Sequence, residues 1–165
     1  MCSSDLNATY AGVTAYGSTV PCRVKSWFTT TDTTVYTFCG GPIGSDERLT
    51  VYVARNAGPL GFGRAGATAW ASQPATARYR PNGAYRWSSS GSSPVISRSG
   101  RGVYTVRFAG QAPGGAAFVS AYGTKARVCQ VGSIAKRGSS ASVGVRCFRL
   151  GGAPADAMFT IGWTR

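Results

Sequence analysis

The sequence contains no histidine. That removes the general base of Ser-His-Asp and Cys-His machinery and most zinc sites. Acids are scarce as well: five in 165 residues against 18 lysines and arginines, for a net charge of +13. Glycoside hydrolysis needs two carboxylates flanking one bond. Beyond the first six residues there are Asp32, Asp46, Glu47 and Asp156 to choose from. Asp46 and Glu47 are neighbours and would point to opposite faces of a strand. Lysine is limited to Lys25, Lys125 and Lys136, and the abundance of serine leaves a Ser–Lys dyad open. The sequence has no G-x-x-x-x-G-K-[ST] phosphate loop and no C-x-x-C pair for a thiolate zinc site. No apolar run reaches about 18 residues, so no transmembrane helix is expected. These absences point away from catalysis, leaving a hydrolase as a remote alternative. They call for no cofactor and no metal.

What is present is a sequence that echoes itself. Thr14-Ala15-Tyr16-Gly17, Cys22-Arg23-Val24, Cys39, Asp46 and Leu49-Thr50-Val51-Tyr52-Val53 run in one order. Ser120-Ala121-Tyr122-Gly123, Cys129-Gln130-Val131, Cys147, Asp156 and Phe159-Thr160-Ile161-Gly162-Trp163 run in the same order. The offset grows from 122 − 16 = 106 to 129 − 22 = 107, 147 − 39 = 108 and 156 − 46 = 110. Such slippage belongs in loops, which tolerate insertions. The reading is two copies of one β unit, each stapled by its own disulfide, Cys22–Cys39 and Cys129–Cys147. The fifth cysteine, Cys2, lies in Met1-Cys2-Ser3-Ser4-Asp5-Leu6, which resembles a translated sequencing adapter. Read as a scar, residues 1–6 are not native and upstream sequence, including an export signal, is missing.

Alternation supplies the strands. Residues 10–16 read as one, and Val20, Cys22 and Val24 alternate with Arg23, Lys25 and Trp27, which puts Trp27 on a charged, exposed face. Residues 35–39, 49–55, 67–71, 84–88 and 94–98 follow, and then Val103-Tyr104-Thr105-Val106-Arg107-Phe108 beyond a hairpin tip at Gly100-Arg101-Gly102. About eight strands from 67 to 165, with Gly/Pro/Ser turns, predict an all-β antiparallel sandwich of Ig-like or jelly-roll-like topology. The expected organisation is a scar at 1–6, the C-terminal half of a preceding repeat at 7–55, a Gly-rich linker at 56–66 and a complete unit at 67–165. Tyr16, Tyr122, Asp46 and Asp156 are the repeated structural positions. Each aspartate is expected to accept backbone N–H bonds at the entry to a strand, as in an Asx turn.

Five motifs in this pattern occur together: W-A-x-Q-P at 70–74, W-x-S-S-G at 87–91, R-S-G-x-G-x-Y-x-V-x-F at 98–108, A-Y-G at 121–123, and C-x-V…R-C-F…D…F-T-x-x-W from 129 to 163. The combination resembles an uncharacterised tandem repeat of secreted proteins from actinobacteria, myxobacteria and similar GC-rich bacteria. The resemblance covers nearly all of 67–165 and, as a partial copy, 7–55. It implies export and an all-β fold, and brings no activity or site residues with it. Ser72 departs from the acid that the pattern leads one to expect, which withholds any site there.

The expected function is a non-catalytic extracellular module, a structural or adhesive spacer in a larger secreted protein with further repeats or domains upstream. The alternative is a polysaccharide- or polyanion-binding module. Its candidate residues are Trp70, Trp87, Tyr79 and Tyr85 among Arg78, Arg80 and Arg86, since aromatic faces and guanidinium groups suit cell-wall or environmental glycans. Nucleic acid would be held through nonspecific charge. The preferred reading of Trp70 and Trp87 is nevertheless core, as is that of Trp163, whose place in the earlier copy is taken by Val53.

Overall fold

A computed structural model describes residues 9–15, 20–40, 47–61 and 63–165. Residues 1–6, Tyr16 and Asp46 lie outside them. Thirteen strands are found among the described residues: β1 (Thr9–Ala15), β2 (Cys22–Thr29), β3 (Thr33–Cys39), β4 (Leu49–Arg55), β5 (Gly66–Ala71), β6 (Arg78–Tyr79), β7 (Arg86–Ser88), β8 (Val95–Gly100), β9 (Val103–Phe108), β10 (Ala116–Tyr122), β11 (Arg127–Arg137), β12 (Ser140–Arg149) and β13 (Met158–Thr164). The fold is all-β and sandwich-like, and no described helix is long and apolar enough to cross a membrane.

Two sheets make the sandwich. One has six strands in the order β3-β2-β10-β13-β5-β7, the other five in the order β11-β12-β9-β8-β6. A separate two-stranded sheet joins β1 to β4. Alternation explains the core. Ala67, Ala69, Ala71, Phe159, Ile161 and Trp163 face inward from the first sheet, and Tyr104, Val106, Phe108, Val143, Val145 and Cys147 meet them from the second. Burying each large apolar side chain of this set stabilises by about 1.5–3 kcal/mol. The intervening residues of β9, Val103, Thr105 and Arg107, face water.

Both disulfides form as expected, joining Cys22 to Cys39 and Cys129 to Cys147. Each closes a hairpin by linking directly opposed residues of neighbouring strands. The chain-entropy gain for loops of this length is about 3 kcal/mol each. The register recurs too. Ala15 opposes Leu49 in β1–β4, and Ala121 opposes Phe159 in β10–β13. Both hairpins carry a bulge two residues past the first cysteine, after Val24 and after Val131.

The structure departs from expectation in several places, each with a physical reason. Trp27 is buried, not exposed, because the bulge at Lys25 shifts the strand by one residue and exchanges its faces. The stretch 84–88 begins as a 3-10 turn (Gly83–Tyr85), with the Asn82 side chain accepting the Ala84 N–H, before β7 starts. Nine strands, not eight, lie between residues 67 and 165 among those described, since β6 is a two-residue strand too short to alternate visibly. Strand pairing is not wholly antiparallel: β2 runs parallel to β10, meeting it where Val24 pairs with Tyr122. Within the expected linker, Ala57, Gly58 and Pro59 are buried. Pro59 sits over β13 where Gly162 has no side chain; a Cβ there would lie 2.6 Å from the proline ring.

Candidate functional site

The contact between residues 9–55 and the rest of the chain combines buried polar bonds with an aromatic cluster. Arg23 of β2 is buried and donates from Nε to the Gly123 carbonyl at 3.1 Å and from Nη2 to the Thr124 carbonyl at 3.0 Å. Its guanidinium lies 4.1 Å from the centre of the Phe38 ring. Thr160 Oγ1 donates to the Ala11 carbonyl at 2.7 Å, tying β13 to β1. Trp27, Trp70 and Tyr122 meet edge to face, with centroids 4.9–6.1 Å apart, and Tyr85 meets Trp70 at 4.7 Å. The indole N–H groups of Trp27 and Trp70 are buried without an acceptor among the described residues, and this cluster holds by apolar contact and ring quadrupoles.

The seven aromatic and arginine candidates do not converge. Trp70, Tyr85 and Trp87 share the outer face of the six-stranded sheet, where Thr68 opposes Trp87 and Trp87 borders Gly58. All three are half-buried. Tyr79 sits on the other sheet with its ring against the core and its hydroxyl accepting the Gln73 N–H. Arg86 is half-buried, Arg80 is exposed, and Arg78 points out from β6 beside Ser97.

Asp156 serves structure from a distance rather than locally. Its carboxylate takes two bonds from Arg98, Nε to Oδ1 and Nη2 to Oδ2, both at 2.9 Å. It also accepts the Gly102 N–H at 2.8 Å and lies 3.1 Å from the Tyr104 hydroxyl. The backbone donor is thus at the β8–β9 hairpin tip, 54 residues away, and not at the entry to β13. Arg98 above all, then the Gly102 N–H and the Tyr104 hydroxyl, hold this carboxyl down at about 2 against the opposing effect of burial. Burial pushes the Tyr104 phenol up to about 12. One S-x-x-K match, Ser133-Ile134-Ala135-Lys136, escapes the sequence reading but makes no Ser–Lys dyad. It lies along β11, where residues three apart point to opposite faces.

Charge divides sharply along the chain. Residues 1–66 carry Arg23, Lys25, Arg48, Arg55 and Arg64 against Asp5, Asp32, Asp46 and Glu47, or 5 − 4 = +1. Residues 67–165 carry eleven arginines and two lysines against Asp156 alone, or 13 − 1 = +12. That single acid is consumed by Arg98 in the one ion pair found among the described residues. The outer face of the five-stranded sheet collects part of the excess. Arg78, Arg107 and Arg137 line a trough of about 230 Å³ with Ser97, Thr105, Ser142 and Val95. Arg107 Nη2 donates to Ser140 Oγ at 3.3 Å, which steadies its guanidinium. Arg107 and Arg137 were not singled out from the sequence. The alternation of β9 does place Arg107 outward, but only cross-strand register brings the three arginines together.

No family model, curated protein or solved structure matches the chain. What it can do must be read from its own geometry.

One more surface bears on that. In β13, Phe159, Ile161 and Trp163 are fully buried, whereas Leu49, Val51 and Val53, at the same register in β4, are 36–43% exposed. β13 has β5 along its far edge; β4 pairs with no strand beyond β1 among the described residues. Phe28, Tyr36 and Phe38 on the β2–β3 hairpin are exposed as well.

Proposed function

We propose that the chain is a non-catalytic, exported β-sandwich module, a structural spacer that works in tandem with copies of its own unit in a larger extracellular protein. The observation that carries this reading is the open apolar strip of β4, whose equivalents in β13 are buried by β5 and the opposing sheet. An apolar row of this kind is normally covered. The matching cover is a stretch like residues 64–115, supplied by a preceding unit. Two disulfides, each within a hairpin, support an oxidising compartment outside the cell. The lack of histidine and the engagement of Asp156 in a structural ion pair support a role without catalysis. The shared register and the shared bulge position support common descent of the two halves, in keeping with the bacterial repeat that the sequence resembles.

The test is a fusion that places an extra copy of residues 64–115 ahead of residue 7. Binding of a hydrophobic dye should fall, and amide exchange across Leu49–Arg55 should slow, as the added strands cover β4. Unchanged dye binding and unchanged exchange would end the reading.

A further inference from the structure

We propose that the outer face of the five-stranded sheet binds an acidic polysaccharide, with the carboxylate or sulfate groups of the glycan seated on Arg78, Arg107 and Arg137. The inference goes beyond the tandem reading and does not rest on it, since it concerns a different sheet from that of β4.

Cross-strand register builds the site. Arg78 pairs with Ser97 and Ser97 with Thr105, while Arg107 pairs with Ser142 and, on its other side, with Val95. Arg137 pairs with Ser140, the residue whose hydroxyl receives the Arg107 guanidinium. The three arginines therefore stand on β6, β9 and β11, two strands apart each time. At about 4.8 Å per strand, the row of cations crosses roughly 19 Å of sheet. Between them lie Ser97, Thr105 and Ser142, small side chains that keep the floor low and offer hydroxyls.

This arrangement selects its ligand by chemistry. Guanidinium forks bind carboxylate and sulfate oxygens in pairs, and the hydroxyls suit the sugar hydroxyls between successive anions. None of the described residues that line the trough is aromatic. Single-stranded nucleic acid relies on base stacking for much of its affinity, and a neutral glycan would want a ring face, so both lack a platform here. None of the three arginines has a carboxylate partner among the described residues, so a bound anion displaces no internal ion pair.

The experiment measures binding of the full chain to heparin oligosaccharides, alginate oligosaccharides and a thymidine oligonucleotide at physiological ionic strength, where exposed charges more than about 8 Å apart are largely screened. Two triple variants of equal charge are compared, R78Q/R107Q/R137Q in the trough and R64Q/R101Q/R165Q outside it. The trough variant should weaken polysaccharide binding by about thirtyfold or more, and the outside variant by about threefold at most. Heparin carries carboxylate and sulfate and alginate carboxylate alone, so trough-dependent binding of alginate shows that carboxylate suffices, and trough-dependent binding of heparin without alginate shows that sulfate is required. Equal weakening by the two variants would overturn the proposal, because it would reduce the effect to net charge. Absence of binding to either polysaccharide, or an oligonucleotide bound as tightly as both, would overturn it as well.

Discussion

The strand pairs β1–β4 and β10–β13 share a register and differ in how far they are covered. In residues 66–165, β10 and β13 sit in a sheet that continues through β5 to β7 and packs on a second sheet, so Phe159, Ile161 and Trp163 are excluded from water. In residues 9–55, β1 and β4 pair in the same register, but among the described residues their sheet has no further strand, and Leu49, Val51 and Val53 stay exposed. The smaller half survives by borrowing. Its own buried cluster is Ala11, Val13, Val24 and Trp27, completed by Trp70 and Tyr122 of the larger half. Charge follows the same divide, nearly balanced in residues 1–66 and strongly positive in 67–165. Cross-strand register is thus enough to fix the β1–β4 pair, while burial depends on neighbours that the pair does not itself supply.

Mutations at equivalent positions sharpen this contrast. Trp163→Ala should cost about 3–5 kcal/mol, because it empties a fully enclosed site. Val53→Ala, at the same register, should cost about 1 kcal/mol or less. Urea unfolding of the two variants checks the difference, and equal costs would break the comparison. The borrowed interface is tested by Arg23→Ala, which strands the Gly123 and Thr124 carbonyls. A loss of about 2 kcal/mol is expected, with faster amide exchange in β2 and little change in β12. The smallest effect concerns pH. The Asp156 carboxyl has its pKa lowered in the folded state, so it adds stability that is full above its ordinary value of 3.8 and is lost as pH falls through about 2. Asp156→Asn should remove that dependence between pH 4 and 2, measured as the acid limb of a thermal-stability profile, and leave residues 9–55 unaffected.

Much of the fold is legible in the sequence, and the exceptions follow a rule. Alternation marks β9 clearly because it presents one face to the core, and β13 because Phe159, Ile161 and Trp163 alternate with threonine and glycine, although both of its faces are buried. The cysteine pairs are legible because the order of motifs repeats. Trp27 is misread because one inserted residue exchanges the faces of a strand without leaving a mark in composition. β6 is missed because two residues carry no period. The candidate site fares worse for a related reason. Trp70 and Arg78 are eight residues apart in the chain but belong to different sheets, whereas Arg78 and Arg137 are 59 apart and line one trough. Proximity along the chain is a poor guide to a surface assembled across strands.

The glycine at position 162 sets a polarity for the molecule. Its missing side chain gives Pro59 and Tyr10 a seat on β13, whereas the matching position of β4 bears the Tyr52 ring. A contact that joins unlike surfaces can repeat without end unless something stops it. Here the stop is a phenol in the place of a hydrogen atom: β13 can be sat upon at this position and β4 cannot.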